Sequence, residues 1–479
     1  MFEATFESLY KHKCPDWFRD VKFGIWSHWG PQSVPMFGDW YARNMYIQGS
    51  EQYNYHLAHY GHPSEFGYKD IVKLWKAENF DPDALMEQYY KSGARFFVAQ
   101  ATHHDNFFNY ATKLNRFNSV EIGPHKDIVG MWQKAAKKYD LPFGITEHLA
   151  ASFWWWWHNK DCDKTGPYAG VPYDGANPEY ADFYHDNMEH VNIDGWPWLT
   201  QNEKFKAHWL EVMKEIVDLY HPEMLYSDSH LPFGQYRGAD AAELFKEGLE
   251  AVSYFYNDCE KTHGPNQAVY TQKSENPDVY RVGTLDVERS QLHEISPEPW
   301  QSETCIGDWF FNSKINYKTP KHIIDILIDT ISKNGTLLLN IIQKPDGTVD
   351  DRAMWILKEL EKWFAINSEA VYCTRPWRVA GEGSAKVKIE GFTEEQVAWQ
   401  QDDFRFVQKE AEKAVYCYMM CPHMGDMAII KSFKPDEIIK TVTLLGGDEL
   451  SFNQYNGVLV VDLPKKLPTE YANVLKIQL

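Results

Sequence analysis

Eight short apolar runs, several of them separated by stretches with helical spacing, constrain this chain more than any other feature. They are residues 22–29, 94–101, 141–149, 224–228, 267–272, 283–288, 303–309 and 336–342. The helices between them have legible ends. Asp81 and Pro82 form an N-cap with proline at the first helical position, and Gly93 closes that helix. Residues 202–220 carry Phe205, Trp209, Val212, Ile216 and Leu219 at spacings of four and three. This predicts one core-facing side and a stop at Pro222. Thr319 and Pro320 open another helix. Strands alternating with helices in this number predict a (β/α)8-like barrel rather than an open doubly wound sheet. No GxGxxG follows a strand and no P-loop is present, which counts against nucleotide-binding folds. A helix is expected over 351–364. Residues 375–384 (RPWRVAGEGS) then read as loop, and short alternating runs follow at 386–390, 404–407, 414–419, 427–430, 441–445 and 458–463. These predict a small C-terminal β-sandwich. The expected division is 1–366 for the barrel and 367–479 for the sandwich.

Chemistry in such barrels sits at the C-terminal ends of the strands. There the sequence places His28-Trp29, His103-His104-Asp105, Glu147-His148, Asp228, Asp286 with Glu288, Asp308-Trp309, and Asn340. Two chemistries fit this rim. Glycoside hydrolysis needs two carboxylates flanking the sugar, one as nucleophile or base and one as general acid. Metal-assisted hydrolysis could recruit His28, His103, His104, His148 and Asp228 as zinc ligands. The first run offers no His-x-His pair, and 19 tryptophans favour a sugar ligand. No cofactor and no resident metal are therefore expected. Cys417-x3-Cys421 with His423 has no second ligand pair. His56, His59 and His62 are read as loop because of Gly61 and Pro63. With 48 Lys and Arg against 68 Asp and Glu, the formal charge is −20. Such a chain repels nucleic acid and anionic membrane surfaces, and no apolar run is long enough to span a bilayer. Seven scattered cysteines are not a disulfide scaffold. Residues 1–16 show no leader pattern. The compartment is then cytoplasmic, or periplasmic or secreted if a signal peptide was removed.

The residues themselves resemble a known family, the α-L-fucosidases of glycoside hydrolase family 29. The resemblance is carried by residues 17–35 (WFRDVKFGIWSHWGPQSVP), 38–46 (GDWYARNMY), 60–70 (YGHPSEFGYKD), 101–107 (ATHHDNF) and 145–149 (ITEHL). It continues through 225–228 (LYSD), 286–289 (DVER), 299–309 (PWQSETCIGDW), 332–345 (SKNGTLLLNIIQKP) and 367–377 (NSEAVYCTRPW). It implies a barrel with a C-terminal β-sandwich and a retaining exo-α-L-fucosidase acting on fucosylated oligosaccharides or glycoconjugates. It implies Asp228 as the nucleophile that forms a fucosyl-enzyme ester. The acid/base varies in position across the family; Glu288 is the choice here, with Glu294, Glu298 and Glu303 as rivals on nearby loops. His28, His103, His104 and His148 are expected to face the sugar. Trp40 resembles the tryptophan of the family's Glu-Trp pair, and Trp309 an apolar wall for the sugar's methyl group. There are departures. Asp39 stands where the family commonly has Glu, which puts strict fucose selectivity in question. Lys273 stands where an Arg is often found, with Arg281 and Arg289 as alternatives, and a point ammonium does not reproduce a guanidinium fork. Trp154, Trp155, Trp156 and Trp157, with Trp196 and Trp198, are read as a partly exposed platform for the rest of a glycan. Three other readings stand beside the resemblance. They are a retaining α-glycosidase for another galacto-configured sugar, a metal-dependent barrel hydrolase, and a non-catalytic glycan-binding protein.

Overall fold

In a computed structural model that describes residues 1–187, 198–234, 245–389 and 394–479, the eight runs close into one parallel barrel. The strands are β1 (Phe23–Ser27), β2 (Phe97–Gln100), β3 (Phe143–Glu147), β4 (Met224–Ser227), β5 (Val269–Gln272), β6 (Thr284–Glu288), β7 (Trp300–Cys305) and β8 (Gly335–Asn340). They pair in sequence order, and β8 returns to β1. One register departs from expectation. β7 begins at Trp300, three residues before the expected 303, so Asp308 and Trp309 belong to the loop beyond it. Trp300 and Gln301 supply the strand's start: they pair with Gly335 and Thr336 of β8.

Side chains alternate between the barrel interior and the helices. Trp26, Val98, Met224, Tyr226, Val269 and Leu338 fill the interior together with Phe96 and Phe18. The barrel is thus a plugged core, open to chemistry only at its C-terminal rim. Gly144 is required by this packing, because a Cβ there would lie 3.0 Å from both Met224 and Val98.

The helix ends follow their chemistry. Asp81 accepts hydrogen bonds from the backbone N–H of Asp83 and Ala84 at the start of helix Pro82–Lys91, and Gly93 beyond its end takes φ +102°. Asn202 caps helix Glu203–Tyr220, which buries Phe205, Trp209, Val212 and Ile216. Leu219 does not share that face: it is 49% exposed, and Tyr220 is buried in its stead. After Ile216 the buried face advances by four residues and not three. His56 and His59 lie in helix Glu51–His59 and not in a loop, because the helix ends before Gly61 and Pro63.

Helix Asp351–Val371 runs through the expected boundary at 366, and the antiparallel strands begin at Arg375. They are β9 (Arg375–Glu382), β10 (Phe404–Lys409), β11 (Ala414–Met419), β12 (Met427–Ile430), β13 (Thr441–Leu444), β14 (Phe452–Tyr455), β15 (Val458–Asp462) and β16 (Asn473–Gln478). Five form one sheet in the order β13-β16-β11-β10-β9, and three form a second, β12-β15-β14. Val415, Cys417 and Met419 point between the sheets. Tyr416 and Tyr418 point the other way, onto helix Asp351–Val371, where they donate to Glu369 and to the Ala370 carbonyl. β9 corrects the loop reading of 375–384. It is an edge strand, where Pro376 costs no ladder hydrogen bond, and Trp377 anchors it against Phe406 and Phe433. Residues 386–389, expected as strand, form none. The Ile389 carbonyl accepts from Ser290 at the barrel rim instead of joining a ladder.

Candidate active site

The same two-residue alternation that fills the barrel brings polar side chains to its rim. On β1 the inward face passes from Trp26 to His28, on β3 from Thr146 to His148, and on β4 from Tyr226 to Asp228. Beyond β5 it reaches Lys273. On β6 it passes from Asp286 to Glu288, and on β7 from Gln301 to Glu303.

At the centre is the Lys273 ammonium. Its Nζ donates to Asp228 Oδ1 at 2.6 Å and to Glu288 Oε2 at 2.5 Å, and lies 2.9 Å from Glu303 Oε1. An ammonium has three N–H donors, and here each has a carboxylate from a different strand. Asp228 also accepts from the Tyr226 hydroxyl at 3.0 Å and faces His104 Nε2 at 3.3 Å. Burial pushes the Asp228 carboxyl up, but Lys273 and the neighbouring histidines outweigh it and hold it well below the usual range. Burial by itself would lower Lys273. The carboxylates around it keep it well above the ordinary lysine value.

Facing Asp228 is a histidine cluster. His28, His103, His104 and His148 are all buried. Burial, with the neighbouring imidazoles, drives His28 and His103 well below the ordinary histidine value. Burial also takes His148 down to about 3. A neutral imidazole offers one N–H and one lone pair, which suits alternating sugar hydroxyls. His104 is oriented by its Nδ1, which donates to the His148 carbonyl at 2.7 Å. His103 Nδ1 is 2.7 Å from Gln32 Nε2. Ring nitrogens of His28, His103 and His148 lie within 4.8 Å of one another. Among the described residues this is the set that could hold a divalent ion, as three imidazoles with an open fourth position.

Aromatic side chains enclose the cluster. Trp26 is the floor, stacked on His148 (5.8 Å) and edge-on to His28 (4.8 Å). Trp309 packs on Trp26 and His28, and Phe310 stands edge-on to His28 and His103. Trp40 stacks on Trp198 and meets Trp155 edge-on. Asp39 accepts from the Trp40 N–H at 2.8 Å. Burial, then the charge of Asp308, raises its carboxyl well above the ordinary range.

All nine residues singled out by sequence are therefore gathered at one rim. Of the rivals to Glu288, Glu303 is on β7 and not on a loop, fully buried beneath Lys273. Glu294 and Glu298 are exposed on the segment descending to the strand-start end of the barrel. There the Ser296 N–H donates to the carbonyl of Lys333, which stands just before β8. Arg289 turns aside to Glu394 and Arg281 lies over Tyr10, which leaves Lys273 as the cation among the carboxylates. The tryptophan run corrects the platform reading. Trp154, Trp155 and Trp156 are buried and Trp157 is 37% exposed, because helical geometry fans four successive rings toward different walls. Trp196 lies outside the described residues. Sequence reasoning did not assign Trp26, Tyr226 or Phe310 to the site. For Trp26 and Tyr226 the available signal was the alternation, which puts each two residues before a rim residue already chosen.

A family model described as alpha-L-fucosidase matches residues 1–369. The chain belongs to that family. As such it is a glycoside hydrolase. It is similar to mouse tissue alpha-L-fucosidase, at 25% identity covering 99% of this chain and 94% of the relative. It is similar also to the alpha-L-fucosidase of Branchiostoma floridae, at 27% covering 80% and 77%. Among solved structures, that of Thermotoga maritima alpha-fucosidase in complex with fucose matches with a TM-score of 0.75 at 25% identity, covering 99% of this chain and all of that one.

Behind the rim of this hydrolase, Glu147 is fully buried and accepts from the N–H groups of Leu149 and Ala150 and from Trp209 Nε1. Burial raises its carboxyl to about 7 against these opposing hydrogen bonds. The folded state therefore holds this proton more tightly than the unfolded chain. The associated stability is complete below the ordinary glutamate range and is lost as pH rises through about 7. Between about pH 5 and about pH 8, Glu147→Gln should lose roughly 2 kcal/mol less stability than the parent protein in urea unfolding. Equal losses in the two proteins would show that Glu147 is ionised throughout.

Proposed function

We propose that the protein is a retaining exo-α-L-fucosidase, releasing terminal α-L-fucosyl residues from oligosaccharides or glycoconjugates by double displacement. One observation carries this reading: a single ammonium contacts both Asp228 and Glu288, so their nearest oxygens are at most about 5 Å apart. That is the retaining spacing; inverting enzymes need roughly 6.5–9.5 Å to admit a water. Asp228, held ionised, attacks the anomeric carbon. Glu288, which keeps 21% of its side chain exposed, protonates the leaving oxygen and then activates water. Lys273 follows the charge. It pairs with Asp228 while Glu288 carries the proton, and with Glu288 once Asp228 is an ester. His28, His103, His104 and His148 hold the ring hydroxyls, Asp39 and Trp40 line the pocket, and Trp309 with Phe310 gives the 6-deoxy methyl a dry wall.

The direct test is hydrolysis of an aryl α-L-fucoside followed by NMR. The first-formed sugar should be α-L-fucose; the β anomer appearing first would overturn retention. A second reading concerns the sugar. Asp39 is one methylene shorter than the family's Glu and sits beside Asp308, so a panel of aryl glycosides should include α-galactosides. Faster cleavage of one of these would displace fucose as the substrate. Turnover should be undiminished in EDTA, and its loss would favour an ion on the histidine trio.

Lys273→Ala should lower kcat/KM on the same substrate by about 10²–10³-fold, because three carboxylates lose their shared cation. Lys273→Arg should restore only part, since a planar fork cannot place one N–H on each of three strands. A loss under threefold for Lys273→Ala would remove the residue from the site.

A further inference from the structure

Four carboxylates and one cation crowd a dry barrel mouth. Asp228, Asp286, Glu288 and Glu303 would carry four negative charges against the single ammonium of Lys273. Two of them lie below the level at which a sugar can bind. Asp286 is 2% exposed and Glu303 is fully buried. They reach the interior from adjacent strands, in a register that pairs Asp286 with Gln301 and Glu288 with Glu303. Gln301 Nε2 donates to Asp286 Oδ1 at 2.7 Å. Lys273 Nζ and the Tyr226 hydroxyl both approach Glu303 Oε1, at 2.9 and 3.0 Å. The remaining oxygens, Asp286 Oδ2 and Glu303 Oε2, are buried and meet no donor among the described residues. The two side chains are within hydrogen-bond reach of each other. Two carboxylate oxygens cannot satisfy one another unless one carries a proton, and an unsatisfied buried pair is costly.

We propose that Asp286 and Glu303 share one proton and present a single constant negative charge beneath Lys273, positioning its ammonium between Asp228 and Glu288. Neither residue touches substrate; both act through Lys273 and Tyr226. The inference rests on Asp228 and Glu288 acting as described above. The groups that face the pair are Lys273 from beyond β5, Tyr226 and Asp228 from β4, Glu288 from β6 and Gln301 from β7. Burial raises both acids, Asp286 to about 7 and Glu303 well above its ordinary value, while Asp228 is lowered, so the proton resides in the pair and not on Asp228. The arrangement conserves charge through the reaction. Before attack the charged partners of Lys273 are Asp228 and the pair, with the proton on Glu288. After attack Asp228 is a neutral ester, Glu288 has given its proton to the leaving group, and the pair is unchanged. Were both lower acids ionised, Lys273 would be drawn down and away from Asp228. Were both neutral, the ammonium would face the rim unbalanced and make Glu288 a stronger acid and a poorer proton holder.

The test is the position, not the height, of the alkaline limb of kcat/KM, which reports the general acid. Asp286→Asn and Glu303→Gln each replace the protonated partner by an amide and leave the other free to ionise. Each should keep the limb within about 0.3 pH unit. The double variant removes the charge and should move the limb down by about one unit. A single variant that moves the limb about half as far as the double would mean two ionised acids. A double variant that leaves it in place would mean none. Either result overturns the proposal. Should the double variant fail to fold, infrared difference spectra at neutral pH decide. In parent-minus-variant spectra each single variant should lose one protonated-carboxyl C=O band, the same band in both, while the bands of other protonated carboxyls such as Glu288 cancel. No band lost, or a different band lost in each, would overturn the pair. If the parent protein does not cleave α-L-fucosides at all, the functional reading fails by itself, and the infrared result still stands or falls separately.

Discussion

Asp228→Ala should abolish turnover of an aryl α-L-fucoside, with kcat falling by at least about 10⁴-fold. The size of the effect follows from what the carboxylate is asked to do. It supplies the bond to the anomeric carbon, and nothing beside it can take over. Glu303 is sealed beneath Lys273, Asp39 carries a raised carboxyl, and burial holds His28, His103 and His148 well below the ordinary histidine value. The scaffold should tolerate the change, because Lys273 retains Glu288 and Glu303. Circular dichroism and fucose binding should therefore stay close to those of the parent. A cavity opens on the attacking face, and azide can enter it. With an activated fucoside the variant should form the β-fucosyl azide, inverted at the anomeric carbon. A variant that keeps activity within tenfold of the parent would remove Asp228 as nucleophile. Return of the α azide would mean the vacated face is the wrong one.

Glu288→Ala should separate substrates by their leaving groups. Glycans with poor leaving groups depend on protonation of the departing oxygen, and kcat/KM for these should fall by about 10²–10⁴-fold. A dinitrophenyl fucoside departs without help, so its first step should be nearly spared. Water then lacks a base, and the fucosyl-enzyme should accumulate as a burst. Mass spectrometry of the quenched protein should find one fucosyl unit on the peptide carrying Asp228. Azide should release the α azide, with configuration retained. The alkaline limb of the pH profile should disappear with the side chain. An equal loss on both substrate types would show that Glu288 is not the acid/base. Because Glu294 and Glu298 are exposed on the segment that descends to the far end of the barrel, Glu294→Ala and Glu298→Ala should leave this leaving-group dependence unchanged.

The readable part of the site has a common origin. His28, His148, Asp228 and Glu288 each sit at or just beyond the end of a strand whose alternation is visible in the chain, so a face and a rim position could be read for each. The tryptophan run shows where such reading stops. Sequence says that four large rings follow one another, but only the surrounding walls say that three of them are taken up by core. The Lys273 position shows the same limit. Three cations were eligible for it, and the choice among them depends on distances between strands far apart in sequence. Glu303 was misplaced onto a loop for a smaller reason. β7 begins three residues earlier than its apolar run, because Trp300 and Gln301 pair with β8.

The sequence by itself determined the eight alternating units, the antiparallel C-terminal strands and the carboxylates and histidines that end on one rim. These follow from periodicity and from the motifs, which are local. Only the tertiary structure decided that Lys273 bridges Asp228, Glu288 and Glu303, that Glu303 lies below the pocket, and that Asp286 Oδ2 and Glu303 Oε2 meet no donor among the described residues. Those facts are distances between side chains on different strands. They are set by barrel closure and strand register, which no stretch of neighbouring residues encodes.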